Sequence, residues 1–177
     1  DQHGVTIDGC TATGEYSSQL LYFNSYYNSL ERITFTENIT YNQALRSYPV
    51  MCEDIDDDGI IEVPNAFKLN SEANLTEIVP AAELFWCELT PDGTVHLDKH
   101  QAASFSYSFT FDIPESWNDK FTAYTDHNKN EVTFYQWNKN KTGDKLLTIK
   151  MFPLEEENNI SGYTELTKND TYIYTFA

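Results

Sequence analysis

Between positions 105 and 112 the chain reads Phe-Ser-Tyr-Ser-Phe-Thr-Phe-Asp, with an aromatic residue at every odd position and a small or acidic one at every even position. A period of two sends the rings to one face of an extended backbone and the polar groups to the other, so the pattern predicts one half-buried strand. Shorter runs rich in β-branched and aromatic residues predict further strands at 5–8, 19–23, 30–35, 94–97, 121–124, 131–137, 146–152 and 172–176, separated by Asn, Ser, Gly and Asp clusters. The apolar run 81–89 belongs with them, joined to 94–97 by a turn at 90–93, where Pro91 and Gly93 suit a reversal. Residues 126–130 read as a polar turn, and Gly143 and Asp144 are placed in the turn that joins 131–137 to 146–152. Residues 42–47 read as a short helix or turn that Tyr48-Pro49 interrupts. Residues 66–80, rich in Asn, Ser, Glu and Thr, read as a linker or long surface loop, with a helical turn or two at 70–79 as the alternative. The expected fold is mainly β, with antiparallel sheets and meanders and minor helix. An N-terminal β region covers 1–98 and a C-terminal antiparallel β region covers 99–177, its sheet starting near Ser104; whether the two pack as one domain is left open.

Residues 54–64, Asp-Ile-Asp-Asp-Asp-Gly-Ile-Ile-Glu-Val-Pro, break the strand pattern. Carboxylates at alternate positions ahead of a glycine are how a loop wraps a calcium ion. Asp54, Asp56 and Asp58 are hard oxygen donors, Gly59 permits the sharp turn, Ile60 offers its backbone carbonyl and Glu62 closes the set. The helix-loop-helix calcium hand wants a bidentate Glu at its twelfth position, which here is Asn65, and Pro64 pushes Val63 toward extended chain. A nine-residue loop running into a strand fits better, because Ile60, Ile61 and Val63 are β-branched. The segment resembles the calcium loops of integrin-type β-propeller repeats, matching Asp-x-Asp-x-Asp-Gly-x-x-Glu throughout. That resemblance implies ligation by the side chains of Asp54, Asp56, Asp58 and Glu62 and the carbonyl of Ile60, with calcium in a structural role. It covers this segment alone, and one such loop in 177 residues is too few for the several blades of a closed propeller. An acidic turn without metal is the plain alternative.

Composition narrows the partners. With 11 Lys and Arg against 28 Asp and Glu the formal charge is −17, which opposes nucleic-acid backbones and anionic membranes and favours neutral, cationic or metal partners. Aromatic residues make up 15% of the chain, far from a disordered composition despite the charge. No run reaches the roughly 18 to 20 apolar residues of a membrane span. The chain starts at Asp1 without Met, and a removed export signal is the expectation, because calcium is abundant mainly outside cells. Cys10, Cys52 and Cys87 allow at most one internal disulfide and have no metal-ligand spacing; buried free thiols are expected, with a Cys10–Cys52 pair as the alternative.

Catalytic constellations are absent from the motif inventory. His96 and His100 are four apart, but such spacing aligns ligands only on a helix, and His96 lies in a strand-like run. No nucleophile elbow or phosphate loop is present. A cysteine with a remote histidine would make a thiol nucleophile only if the fold joined them. Glu115 and Asp119 flank Trp117, an arrangement open to glycoside chemistry, although a packed Pro-Trp corner with solvated acids is favoured. Glu155, Glu156 and Glu157 read as a solvated loop.

The sequence from Ser106 to Phe152 also resembles a set of uncharacterised exported or lipid-anchored proteins of Gram-positive bacteria, through Tyr-Ser-Phe-Thr-Phe at 107–111, Ile-Pro-Glu-Ser-Trp at 113–117, Val-Thr-Phe-Tyr at 132–135 and Leu-Leu-Thr-Ile-Lys at 146–150. The resemblance implies a surface-exposed, non-catalytic module and transfers no active-site residue. The functional expectation is therefore an extracellular or cell-surface module with a structural calcium site and a protein-interaction or structural role. The first alternative is a carbohydrate-binding module that stacks sugars on Tyr16, Tyr26, Tyr27, Tyr124, Tyr135, Trp137 or Tyr163; the second is a hydrolase. The partner is a protein or glycan at the cell surface.

Overall fold

The computed structural model describes residues 4–33, 45–69, 81–90, 92, 94–118 and 120–176. Its strands, in chain order, are β1 (Gly4–Cys10), β2 (Tyr16–Asn24), β3 (Ser29–Arg32), β4 (Leu45–Arg46), β5 (Val63–Lys68), β6 (Ala82–Leu89), β7 (Val95–Ser104), β8 (Phe109–Asp112), β9 (Phe121–Asp126), β10 (Glu131–Asn138), β11 (Lys141–Pro153), β12 (Thr164–Lys168) and β13 (Tyr172–Phe176). Short 3-10 turns occupy Glu115–Trp117 and Leu154–Asn159. Strand takes 61% and helix 5%, so the fold is mainly β as expected. Three antiparallel sheets form, with orders β1-β2-β3 (β4 also pairing β2), β5-β6-β7-β8 and β12-β13-β11-β10-β9. Neither a closed barrel nor a propeller is present among the described residues.

By contacts the chain divides into two compact units, the first Asp1–Phe67 with Glu83–Gln101 and the second Lys68–Ala82 with Ala102–Ala177. In the first unit Leu20, Ile33 and Val63 form a small core flanked by Tyr22, Cys52 and Leu89. A polar latch ties β1, β2 and β4 to the approach to the acidic loop. Asp8 Oδ1 accepts from Arg46 Nη2 at 2.9 Å and from the Ser18 hydroxyl, and its Oδ2 accepts from the Cys52 N–H at 2.9 Å. The Arg46 side chain is fully buried, and Arg46 Nε donates to the Val50 carbonyl. Burial works against the Asp8 charge, but the bonds from Ser18, Cys52 and Arg46 outweigh it and hold the carboxyl below its usual range.

The second unit is built round Phe134 and Val132 on β10, Met151 and Ile149 on β11, and Tyr174 on β13. Phe134 is completely buried, with Phe111 edge-on at 5.0 Å. Trp117 packs beside Phe111, Phe121 and Phe134 at 6.0 to 6.3 Å, which makes the Ile-Pro-Glu-Ser-Trp segment a packed corner.

Three local expectations are corrected. Residues 105–112 do not form one strand: β7 ends at Ser104, residues 105–108 reverse the chain and β8 begins at Phe109. The alternation still records burial, because Phe105, Tyr107, Phe109 and Phe111 face inward while Ser106, Ser108, Thr110 and Asp112 are exposed. The reversal needs a left-handed residue, Ser108 at φ 52°, just as Asn28 and Asn130 close the turns at 25–28 and 127–130 with φ 50° and 51°. In those two turns Asn24 and Asp126 also accept N–H bonds from the turn backbone, an Asx signal that Ser104 and Ser108 do not broadcast. Gly143 and Asp144 lie inside β11 and not in a turn; Lys139 and Asn140, at φ 48° and 71°, make the two-residue reversal. Gly143 serves the bulged register instead, since a Cβ there would sit 2.7 Å from Asn138 Nδ2 and 3.1 Å from Gln136 Cβ. Leu45 and Arg46 form β4 against Tyr16 and Ser17, so no helix continues through them. The expectations for 34–35, 42–44, 70–80, Pro91 and Gly93 lie outside the described residues.

Candidate metal centre

The acidic loop is closed by a single antiparallel bridge: Glu53 N–H donates to the Glu62 carbonyl at 3.2 Å, and Glu62 N–H donates to the Glu53 carbonyl at 3.0 Å. Between them the backbone is wound by its own carboxylates. Asp58 N–H donates to Asp54 Oδ1 at 3.1 Å and to Asp56 Oδ1 at 3.2 Å, Gly59 N–H to Asp54 Oδ2 at 3.0 Å, and Ile60 N–H to Asp58 Oδ1 at 2.7 Å. Gly59 at φ 89° takes the sharp turn, a conformation open to Gly without steric penalty. Asp57, between Asp56 and Asp58, is also left-handed at φ 64°.

Asp54, Asp56 and Asp58 each offer an oxygen within 4.8 Å of the other two. Oxygens around a calcium ion lie about 2.3–2.6 Å from it, so two ligands are at most about 5 Å apart. The three aspartates are therefore close enough to share one ion, and Glu62 is not part of that group.

Glu62 differs from these exposed acids. Its residue is 1% exposed, its Oε2 accepts from the Ile55 N–H at 2.9 Å, and its Oε1 is buried with no hydrogen-bond partner among the described residues. Burial raises its pKa, the Ile55 bond opposes that rise, and the charges of Asp56, Asp98 and Asp58 add to it. A buried carboxylate oxygen with no donor is costly unless a proton or a cation satisfies it. Its bond to Ile55 places the carboxyl against the loop between Asp54 and Asp56. Asp98 on β7 was not among the sequence candidates; nothing local marks it, and tertiary placement alone brings its charge near Glu62.

β5 starts at Val63, immediately after Glu62. Asn65, the residue at the twelfth position, is 3% exposed within β5 and hydrogen-bonds the Cys87 thiol, so it faces away from ligation. Ile60 is 44% exposed, and its carbonyl is the remaining candidate donor from the sequence.

The other candidates are dispersed. His96 and His100 both lie on β7, where four residues of extended chain span about 13 Å; His100 Nε2 instead sits 2.7 Å from Glu83 Oε1. Cys10 is exposed, contrary to the expected burial, because it ends edge strand β1; Cys52 is half-buried, Cys87 buried, and all three are free thiols. Burial pushes the thiols of Cys52 and Cys87 up to about 11, protonated at neutral pH and poor as nucleophiles. Glu115 is exposed, while His3 and Asp119 lie outside the described residues. The exposed pair Tyr26–Tyr27 meets edge-on at 90° and the half-buried pair Tyr124–Tyr135 at 60°, neither forming a flat platform. No helix among the described residues is long and apolar enough to cross a membrane. A scan against models of known protein families, a search of curated proteins and a search of solved structures each found no match to this chain.

Proposed function

We propose that this chain is a non-catalytic extracellular or cell-surface binding module, with a protein-interaction or structural role, in which one calcium ion fastens the acidic loop to β5. The ion is held by Asp54, Asp56, Asp58 and Glu62 and by the Ile60 carbonyl. The observation that carries this reading is the cluster of oxygens from Asp54, Asp56 and Asp58, with the Glu62 carboxyl bonded to the Ile55 N–H of the same loop and its Oε1 buried and, among the described residues, unpartnered. A divalent ion bound by the aspartates would neutralise acids that now repel one another in a chain of charge −17, and the Glu62 carboxyl would turn toward it to complete the set. It would also tie the loop to the start of β5, the edge strand that follows Glu62, stiffening the surface around it. The raised thiol pKa values of Cys52 and Cys87 and the separated histidines favour binding over catalysis.

Calorimetric titration of calcium into chelator-stripped protein tests the reading. One site is expected, weakened about tenfold or more in Asp56→Ala. Magnesium should bind more weakly, because it demands a near-octahedral shell at about 2.0–2.1 Å. No saturable heat at millimolar calcium would refute the proposal.

A further inference from the structure

Beside the acidic loop, within the first unit, is a cleft of about 480 Å³, a size typical of ligand-binding pockets. Its apolar lining comes from Val5 on β1, Leu20 on β2, Ile33 and Leu89, together with Ile60 and Ile61 on the returning arm of the loop. Val5, Ile60 and Ile61 remain 48%, 44% and 39% exposed, an apolar surface that gains by being covered. One charged side chain lines the cleft, Glu88 at the end of β6, and it makes no hydrogen bond or ion pair among the described residues.

The geometry points to this cleft as the docking site for an extended segment of a partner protein that presents an apolar side chain next to a lysine or arginine. The apolar side chain fills the space between Leu20, Ile33 and Ile61, and the cation meets Glu88. Charge decides the class: an unpaired carboxylate at the cleft, in a chain of −17, repels an acidic partner and draws a basic one. Gly59, Ile60 and Ile61 belong both to the cleft wall and to the loop that follows Asp58. Metal ligation therefore orders the wall, so calcium strengthens docking; this coupling rests on the calcium reading above.

The test uses the full chain, isotope-labelled, with three synthetic peptides: acetyl-Lys-Leu-Lys-Leu-Lys-amide, its Glu-for-Lys counterpart and its Ser-for-Leu counterpart. Amide shifts are followed in calcium and in chelator. The Lys-Leu peptide is expected to shift residues 4–6, 59–61 and 88–90 selectively, with the other two at least tenfold weaker. Glu88→Gln should weaken it about five- to tenfold, as for loss of a charge-assisted contact, and Ile61→Ser should weaken it similarly. Glu165→Gln, on exposed β12, should leave it unchanged. Equal binding of the Lys-Leu and Lys-Ser peptides, or indifference to both Glu88→Gln and Ile61→Ser, overturns the docking site. The shifts of residues 54–62 report calcium separately in the same sample. If calcium binds and peptide affinity is the same in chelator, the coupling is overturned while the calcium reading stands. If calcium does not bind, the calcium reading and the coupling fall together, and the peptide data in chelator decide the cleft.

Discussion

In Glu62→Gln the buried carboxylate becomes an amide of nearly the same shape. The oxygen that accepts from Ile55 is retained, and an NH₂ group takes the position of the unpartnered Oε1, near Asp56 and Asp58. Leaving a buried acceptor unsatisfied costs about 1–3 kcal/mol, so in chelator the variant should be more stable by about 1–2 kcal/mol. For a chain of 177 residues that is a rise in Tm of about 2–4 °C per kcal/mol. Calcium reverses the order. At 100-fold above Kd the ion stabilises the wild type by about 2.7 kcal/mol. An amide that binds about 100-fold more weakly retains about 0.4 kcal/mol of that at the same calcium concentration. Paired thermal melts at neutral pH, with calcium and with chelator, should therefore show the variant ahead without the ion and behind with it. A variant that is less stable than wild type in chelator, or gains as much from calcium as wild type does, would refute the reasoning.

The same carboxyl gives a pH signature. Its folded pKa is raised above the ordinary 4.5, so its contribution to calcium-free stability is fully present below about 4.5 and is lost as pH rises through the raised value. In chelator the advantage of Glu62→Gln should shrink as pH falls toward 4.5; an advantage constant with pH would argue against a charged, buried Glu62. Phe134→Ala, emptying a completely buried ring site, should cost about 3–5 kcal/mol in denaturant unfolding of the second unit, and a loss below about 1 kcal/mol would contradict the packing described. Under native conditions a thiol reagent should modify exposed Cys10 first, with Cys52 and Cys87 following only as the chain unfolds; three equally fast thiols, read by mass spectrometry, would contradict their burial.

Local chemistry was readable where one residue type has one physical reason to be present. The acidic loop is such a case: alternate aspartates before Gly59 announce the tight turn and the clustering of Asp54, Asp56 and Asp58, and Pro64 with Val63 announces the strand that follows. The aromatic alternation at 105–112 was readable as burial but not as geometry, because a four-residue turn preserves inward and outward facing when its ends pair again. Ser108 carries the left-handed conformation that Asn carries at 28 and 130, and serine is not a turn marker of that kind. Gly143 misled for the converse reason: it looks like a turn residue, yet the space it leaves is needed by Asn138 and Gln136 across the hairpin. The burial of Glu62 and its exposure to the charge of Asp98 depend on where β7 passes, which no spacing along the chain records.

The central claim, that residues 54–62 hold a calcium ion as a structural clasp, is tested most directly by a crystal structure grown in calcium. The account predicts one ion at about 2.3–2.6 Å from oxygens of Asp54, Asp56, Asp58 and Glu62 and from the Ile60 carbonyl, with Glu62 Oε1 now satisfied. A loop without the ion at saturating calcium, with that oxygen still lacking a partner, would contradict it.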